Sequence, residues 1–259
     1  MKKILFSLMA LVASMSMNAQ VVKLMKGETV VATYRASQVD NVVFEEVPYV
    51  EIGGRKWATM NLGATTVAGS LSTCAGDYYQ WGSVNTLYSS VSWSVTWKSG
   101  KESGFVDANK EYTANADLPA ANDVVTQTLG DGWRMPTQAD FEALHNACTS
   151  SSAPTTLSAD PTTGGVYWLA DNQSILPEYT GVAGILYVAT ADPSKRVFFP
   201  AAGSIDGTQF YGGSGFYWSS SVRTENTTNA KILFFRSSSV SPSNYESRCY
   251  GYTIRPVKD

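Results

Sequence analysis

The chain has 259 residues, with 19 Lys and Arg against 22 Asp and Glu, one His and a formal net charge of −3. No long run of either sign occurs, so the concentrated basic face that phosphate binding requires is absent and nucleic acid is excluded as a partner. Apart from the first residues, no stretch approaches the ~20 consecutive apolar residues of a spanning helix, so no membrane span is expected.

The N-terminus reads as a cleavable secretory signal over 1–19. Lys2 and Lys3 supply its cations, an apolar run from Ile4 to Val12 follows, and small residues lead to Ala19. Export is therefore expected, to the periplasm, the cell surface or the medium. No cysteine follows the expected cleavage point at Gln20, so no lipid anchor is expected there. The 240 residues that remain carry 17 basic and 22 acidic groups, a formal charge of −5. That length buries roughly 70–75% of the surface of its unfolded chain, enough for one substantial core.

Residues 20–46 read as a short β module. Apolar runs at 21–25 and 29–34 flank Lys26-Gly27-Glu28, and a third run lies at 42–44. Pro48 marks the join to one long domain over 47–259. Helical periodicity is clear in one place there, after Pro136. Thr137 serves as N-cap and Asp140 faces the positive helix end, while Phe141, Leu144, Ala147 and Cys148 form a stripe. Short β segments between turns follow at 166–169, 185–190, 197–199, 216–219, 231–235 and 252–257, joined by polar connections such as 212–215 and 237–243.

The three cysteines, Cys74, Cys148 and Cys249, enter an oxidising compartment on export, and spacing alone leaves all three pairings open. They and the single His show no zinc-ligand spacing, and no Asp-rich calcium loop is present. His145 reads as a surface residue of the helix. Asp140 and Glu142, two apart on that helix, diverge rather than converge as a catalytic carboxylate pair. No cofactor, no metal and no catalytic residue are expected, and the chain does not read as an enzyme.

Six phrases occur in order along the domain: Trp57-Ala58-Thr59-Met60-Asn61-Leu62-Gly63; Gly76-Asp77-Tyr78-Tyr79-Gln80-Trp81-Gly82; Gly130-Asp131-Gly132-Trp133-Arg134-Met135-Pro136-Thr137; Phe198-Phe199-Pro200-Ala201-Ala202-Gly203; Tyr217-Trp218-Ser219-Ser220-Ser221; and Arg248-Cys249-Tyr250-Gly251-Tyr252-Thr253-Ile254-Arg255-Pro256-Val257. Together they resemble the Fibrobacter succinogenes major paralogous domain, a C-type-lectin-like fold related to the formylglycine-generating enzyme. The resemblance covers about 47–259. It implies an α+β domain with a small antiparallel sheet, few helices and long loops. It also implies a disulfide between Cys148 and Cys249, which would close a loop of about 100 residues and contribute on the order of 4–5 kcal/mol in a chain-entropy treatment. The related enzymes depend on two nearby cysteines in the C-terminal part, where this chain has Cys249 alone. Among the phrase residues, Trp133, Arg134, Trp218 and Arg255 read as structural, the indoles filling core and the guanidinium groups bridging carbonyls.

The last fifty residues are also similar to the C-terminal region of lectin-fold proteins varied by diversity-generating retroelements, in which scattered codons are rewritten on a fixed scaffold. Strand alternation independently places Leu233 and Phe235 inward and Ile232, Phe234 and Arg236 outward. Ser238, Asn244 and Tyr245 follow on an expected loop, Tyr250 precedes the last strand, and Tyr211 and Phe216 lie upstream. This mixture of Tyr, Ser and Asn with an Arg is the one antibody paratopes use. These nine residues form the candidate ligand-binding set, with a surface protein or a glycan as ligand. The competing reading is a polar loop over a strand buried on both faces. At the level of function, three readings stand: an adhesin-like binding protein, a structural component of the cell envelope, and an enzyme of the formylglycine-generating type.

Overall fold

The computed structural model describes residues 21–26, 29–35, 46–88, 115–206, 209–226 and 228–259. The expected signal segment and the third apolar run at 42–44 lie outside them. The chain divides into two compact units, Met1–Glu46 and Val47–Asp259. In the first, β1 (Val21–Lys26) and β2 (Thr29–Arg35) form an antiparallel hairpin whose register slips between Leu24 and Met25.

The second unit is α+β and rich in sheet. Its first hairpin, β3 (Tyr49–Ile52) and β4 (Arg55–Ala58), turns on Gly53 and Gly54. Both glycines have positive φ, 61° and 73°, as a two-residue turn matched to strand twist demands. Short helices α1 (Leu71–Cys74) and α2 (Val124–Leu129) precede β5 (Trp133–Arg134). Ahead of β5, Gly130, Asp131 and Gly132 all have positive φ, which accounts for glycine on both sides of Asp131 in that phrase. Helix α3 (Gln138–Cys148) then starts with a complete capping box. The Thr137 side chain accepts from the Asp140 amide, and the Asp140 carboxylate accepts from the Thr137 amide.

A four-stranded sheet follows from β6 (Thr155–Thr156), β7 (Gly165–Leu169), β8 (Gly184–Val188) and β9 (Arg196–Pro200), in that order, with only the β6–β7 pair parallel. A small hairpin, β10 (Ser204–Asp206) and β11 (Gln209–Tyr211), leads to a three-stranded antiparallel sheet of β12 (Gly215–Val222), β13 (Asn229–Arg236) and β14 (Ser239–Ser247). The last strand, β15 (Val257–Lys258), inserts between β4 and β5 and so ties the end of the unit to its beginning. The expected strand over 252–257 shrinks to this pair because Pro256 has no N–H. Upstream, Tyr252 bridges Tyr79 and Thr253 bridges Tyr217.

The β6–β9 sheet and the β12–β13–β14 sheet each have apolar clusters on both faces. One core joins Trp57 and the α3 stripe (Phe141, Leu144, Cys148) to Tyr187 and Phe199 of the four-stranded sheet and to Tyr217, Leu233 and Phe235 of the three-stranded one. A second core lies on the other face of β12–β13–β14, where Trp218 and Ile232 meet Trp81, Trp133, Tyr252 and Ile254. A third backs the four-stranded sheet with Leu169, Leu186 and Phe198. At about 1.5–3 kcal/mol per fully buried large apolar side chain, these clusters supply most of the favourable term.

His145 is buried rather than exposed, at 6% accessibility, because it shares the α3 face that meets Tyr187, its ring 6.2 Å from the tyrosine ring. Burial also holds its pKa below the usual histidine value. Arg255 is fully buried and donates to the carbonyls of Ala58 at 2.9 Å and Phe198 at 2.8 Å, with its guanidinium 4.6 Å from the Phe199 ring. Trp218 donates to the Tyr79 carbonyl at 2.8 Å. Arg134 donates to the Met135 carbonyl at 3.1 Å and also bonds two carboxylates, Asp140 at 2.6 Å and Asp259 at 2.7 Å. Among the described residues, no helix is long and apolar enough to cross a membrane.

Candidate ligand-binding face

The β12–β13–β14 sheet carries most of the candidate set, and its register decides which side chains share a face. Phe216 pairs with Phe234, Trp218 with Ile232, and Ile232 with Asn244, so all five belong to the side of the second core. Lys231 pairs with Tyr245, and alternation places both on the opposite side with Leu233 and Phe235. Gly215 permits this packing: a β-carbon there would come within 2.0 Å of the Phe235 ring.

Three expectations are corrected here. Ile232 does not face outward. It is 0% exposed, because Trp218, Tyr252 and their neighbours cover that face of β13. The Ser-rich segment after β13 is not a loop either, for Ser237 and Ser238 make a tight turn into β14, where Arg236 faces Ser239 in register. Serine, asparagine and proline have weak strand preference, and here pairing with β13 and burial of Val240 override it. Pro242 sits where the register shifts against β13, a bulge that accommodates a residue without an N–H on this edge strand. Finally, the Cys148–Cys249 disulfide is not formed, and all three cysteines are free thiols. Cys148 is buried at the end of α3 in the first core, whereas Cys249 lies beside Ser247 (Sγ to Oγ 3.1 Å) and accepts through its carbonyl from Gln80 at 2.7 Å. Burial pushes the Cys74 and Cys148 thiols up to about 12, so neither is a ready nucleophile.

The remaining candidates fall into three places. Phe216, Phe234 and Tyr250 are half-buried rings packed against the second core from outside. Phe216 is 5.0 Å from Phe234 and 5.1 Å from Tyr252, and Tyr252 is 6.0 Å from Tyr250, so the rings run as one track. Tyr211, 49% exposed, adjoins this track through the small hairpin. Ile205 pairs with Gly251, which sets Asp206 opposite Tyr250, and Ser204 pairs with Tyr211. Asn244 borders the track on β14. Arg236 and Ser238 are exposed at the far turn, with the Arg236 Nε donating to Ser239 Oγ at 3.1 Å. Tyr245 is separate: it lies on the opposite face, with the Arg223 guanidinium 3.3 Å from its ring centre.

Two acidic side chains border the track and escaped the sequence reading, because nothing in the local pattern marks them. Asp206 is exposed at the end of β10. Glu246, half-buried, pairs with Ala230 and so shares the face of Ile232 and Phe234. Burial raises the Glu246 pKa above the usual carboxylate value, partly offset by the Ser247 backbone N–H. The Tyr250 hydroxyl is held above the usual phenol value by burial and then by the nearby carboxylates Asp206 and Glu246. Among the described residues, no three His, Cys, Asp or Glu side chains group as a metal site. Comparison of the chain with family profiles, curated proteins and solved structures finds no match.

Proposed function

We propose that the chain is an exported, adhesin-like binding protein whose Val47–Asp259 unit presents a ligand surface on a C-type-lectin-like scaffold. The observation that carries this reading is the ring track Phe234–Phe216–Tyr252–Tyr250, whose Phe234, Phe216 and Tyr250 are partly open to solvent yet seated on the fully buried Trp218 and Tyr252. Rigid aromatic area held by a packed core is what binding surfaces use, because little side-chain entropy is lost on contact. The neighbouring polar groups, Asn244, Arg236 and Ser238, supply adaptable hydrogen bonding. The ordered phrases support the scaffold: Trp57, Trp81, Trp133, Trp218 and Arg255 all sit where segments distant in sequence meet.

A surface protein or a glycan is the ligand class. The test is binding of the mature chain, residues 20–259, to an array of glycans and of host and bacterial surface proteins, with and without a calcium chelator. Binding to a defined ligand that is lost in Phe234→Ala and Tyr250→Ala is the expected result. No binding to any member would overturn this reading in favour of a structural role in the cell envelope.

A further inference from the structure

Three guanidinium groups of the described residues already lie over rings of this chain: Arg223 on Tyr245 at 3.3 Å, Arg248 on Trp81 at 4.3 Å and Arg255 on Phe199 at 4.6 Å. Phe216, Phe234 and Tyr250 form the opposite case. Among the described residues no Lys or Arg lies over them, although they are partly exposed, Phe216 against Phe234 and both joined to Tyr250 through the buried ring of Tyr252. The two carboxylates beside them, Asp206 and Glu246, likewise have no Lys or Arg within ion-pair distance among the described residues.

Taking these together, and resting on the binding reading above, we infer that the track is a seat for a cationic side chain, a Lys or Arg presented by a basic segment of a partner protein. The methylene stem lies against the Phe216–Phe234 end, and the charged head points along the track toward Tyr250, Asp206 and Glu246. Each part has its physical reason. Long basic side chains cover apolar surface with their stems while the head stays polar. Ring faces attract cations through their quadrupole, more strongly as water is excluded. Glu246, half removed from water and without an ion partner, gains more from an incoming cation than an exposed carboxylate does. The mature chain's formal charge of −5 favours approach of a basic partner from a distance. Arg236, on the same face at the far turn, sets a direction by repelling a cation there, so the head points toward Tyr250.

The experiment is a fluorescence-anisotropy titration of the mature chain with three labelled hexapeptides: hexalysine, hexaglutamate and an alternating Gly-Ser control. Hexalysine alone is expected to bind. The Asp206→Asn, Glu246→Gln double variant should weaken it about tenfold, and Phe234→Ala, which leaves every charge in place, roughly five- to tenfold. Urea midpoints close to the parent chain show that each variant is folded. Failure of hexalysine to bind at millimolar concentration overturns the inference. So does equal affinity for Phe234→Ala, since that means attraction to net charge without the seat. If hexalysine fails while an array ligand is lost in Phe234→Ala, the binding reading stands and only the cationic ligand falls.

Discussion

The two faces of β13 carry similar side chains and meet different fates. Leu233 and Phe235 close against Tyr217, Phe199 and the α3 stripe, and both are fully buried. On the other face, Ile232 is just as buried, but Phe234 two residues on is half-open, as is Phe216 opposite it. The difference comes from what covers each side. Helix α3 packs on the Phe235 side, whereas the second core thins out beyond Trp218 and Tyr252 toward the β13–β14 turn. Position in the sheet rather than residue type therefore separates scaffold from candidate surface.

The strongest way to break this contrast is Phe235→Ala. It should destabilise the second unit by about 3–5 kcal/mol, the range for emptying a packed aromatic site, and urea unfolding would report it. Loosening the helix that closes the Phe235 face comes next. Asp140, buried between Arg55 at 2.7 Å and Arg134 at 2.6 Å, also caps α3. Asp140→Asn should cost about 2–3 kcal/mol, because two guanidinium groups that retain some access to water lose their partner. Burial pushes the Asp140 pKa up, but the bonds from Arg134, Thr137 and Arg55 outweigh it and hold the carboxyl at about 2. With the folded value below the unfolded one, this stabilisation is complete above about pH 4 and is lost as pH falls toward 2. It amounts to about 2 kcal/mol, so acid titration of unfolding should show a drop in that window that Asp140→Asn lacks. Smallest of all should be Tyr245→Ala. Its ring sits on the face away from the track, so the ligand affinity of the chain should stay within about twofold, and stability should change by no more than about 1 kcal/mol.

Much of the scaffold was legible because its signals are local. Thr137 and Asp140 with a period of three and four announced α3, and β-rich runs located β7, β8, β9, β12 and β13 to within a few residues. β14 was not legible, since Ser239, Ser241, Pro242, Ser243 and Asn244 become a strand only because β13 lies beside them. Alternation along β13 assigned Leu233 and Phe235 to the core but could not show that the second face also has a cover, so Ile232 was misplaced while Phe234 was not. The separation of Tyr245 from Phe234 depends on the slip at Pro242 and on pairing with Lys231. Asp206 and Glu246 come to the track through contacts between β10 and 251 and between β13 and β14, information that no single segment holds.

Phe234 belongs to the surface and Phe235 to the scaffold. The most direct test measures stability and ligand binding side by side for Phe234→Ala and the parent mature chain, using urea unfolding and the surface-protein and glycan array. A stability loss below about 1 kcal/mol together with loss of ligand binding is the result predicted. A loss of about 3 kcal/mol or more with ligand binding intact would make Phe234 a core residue and contradict the account.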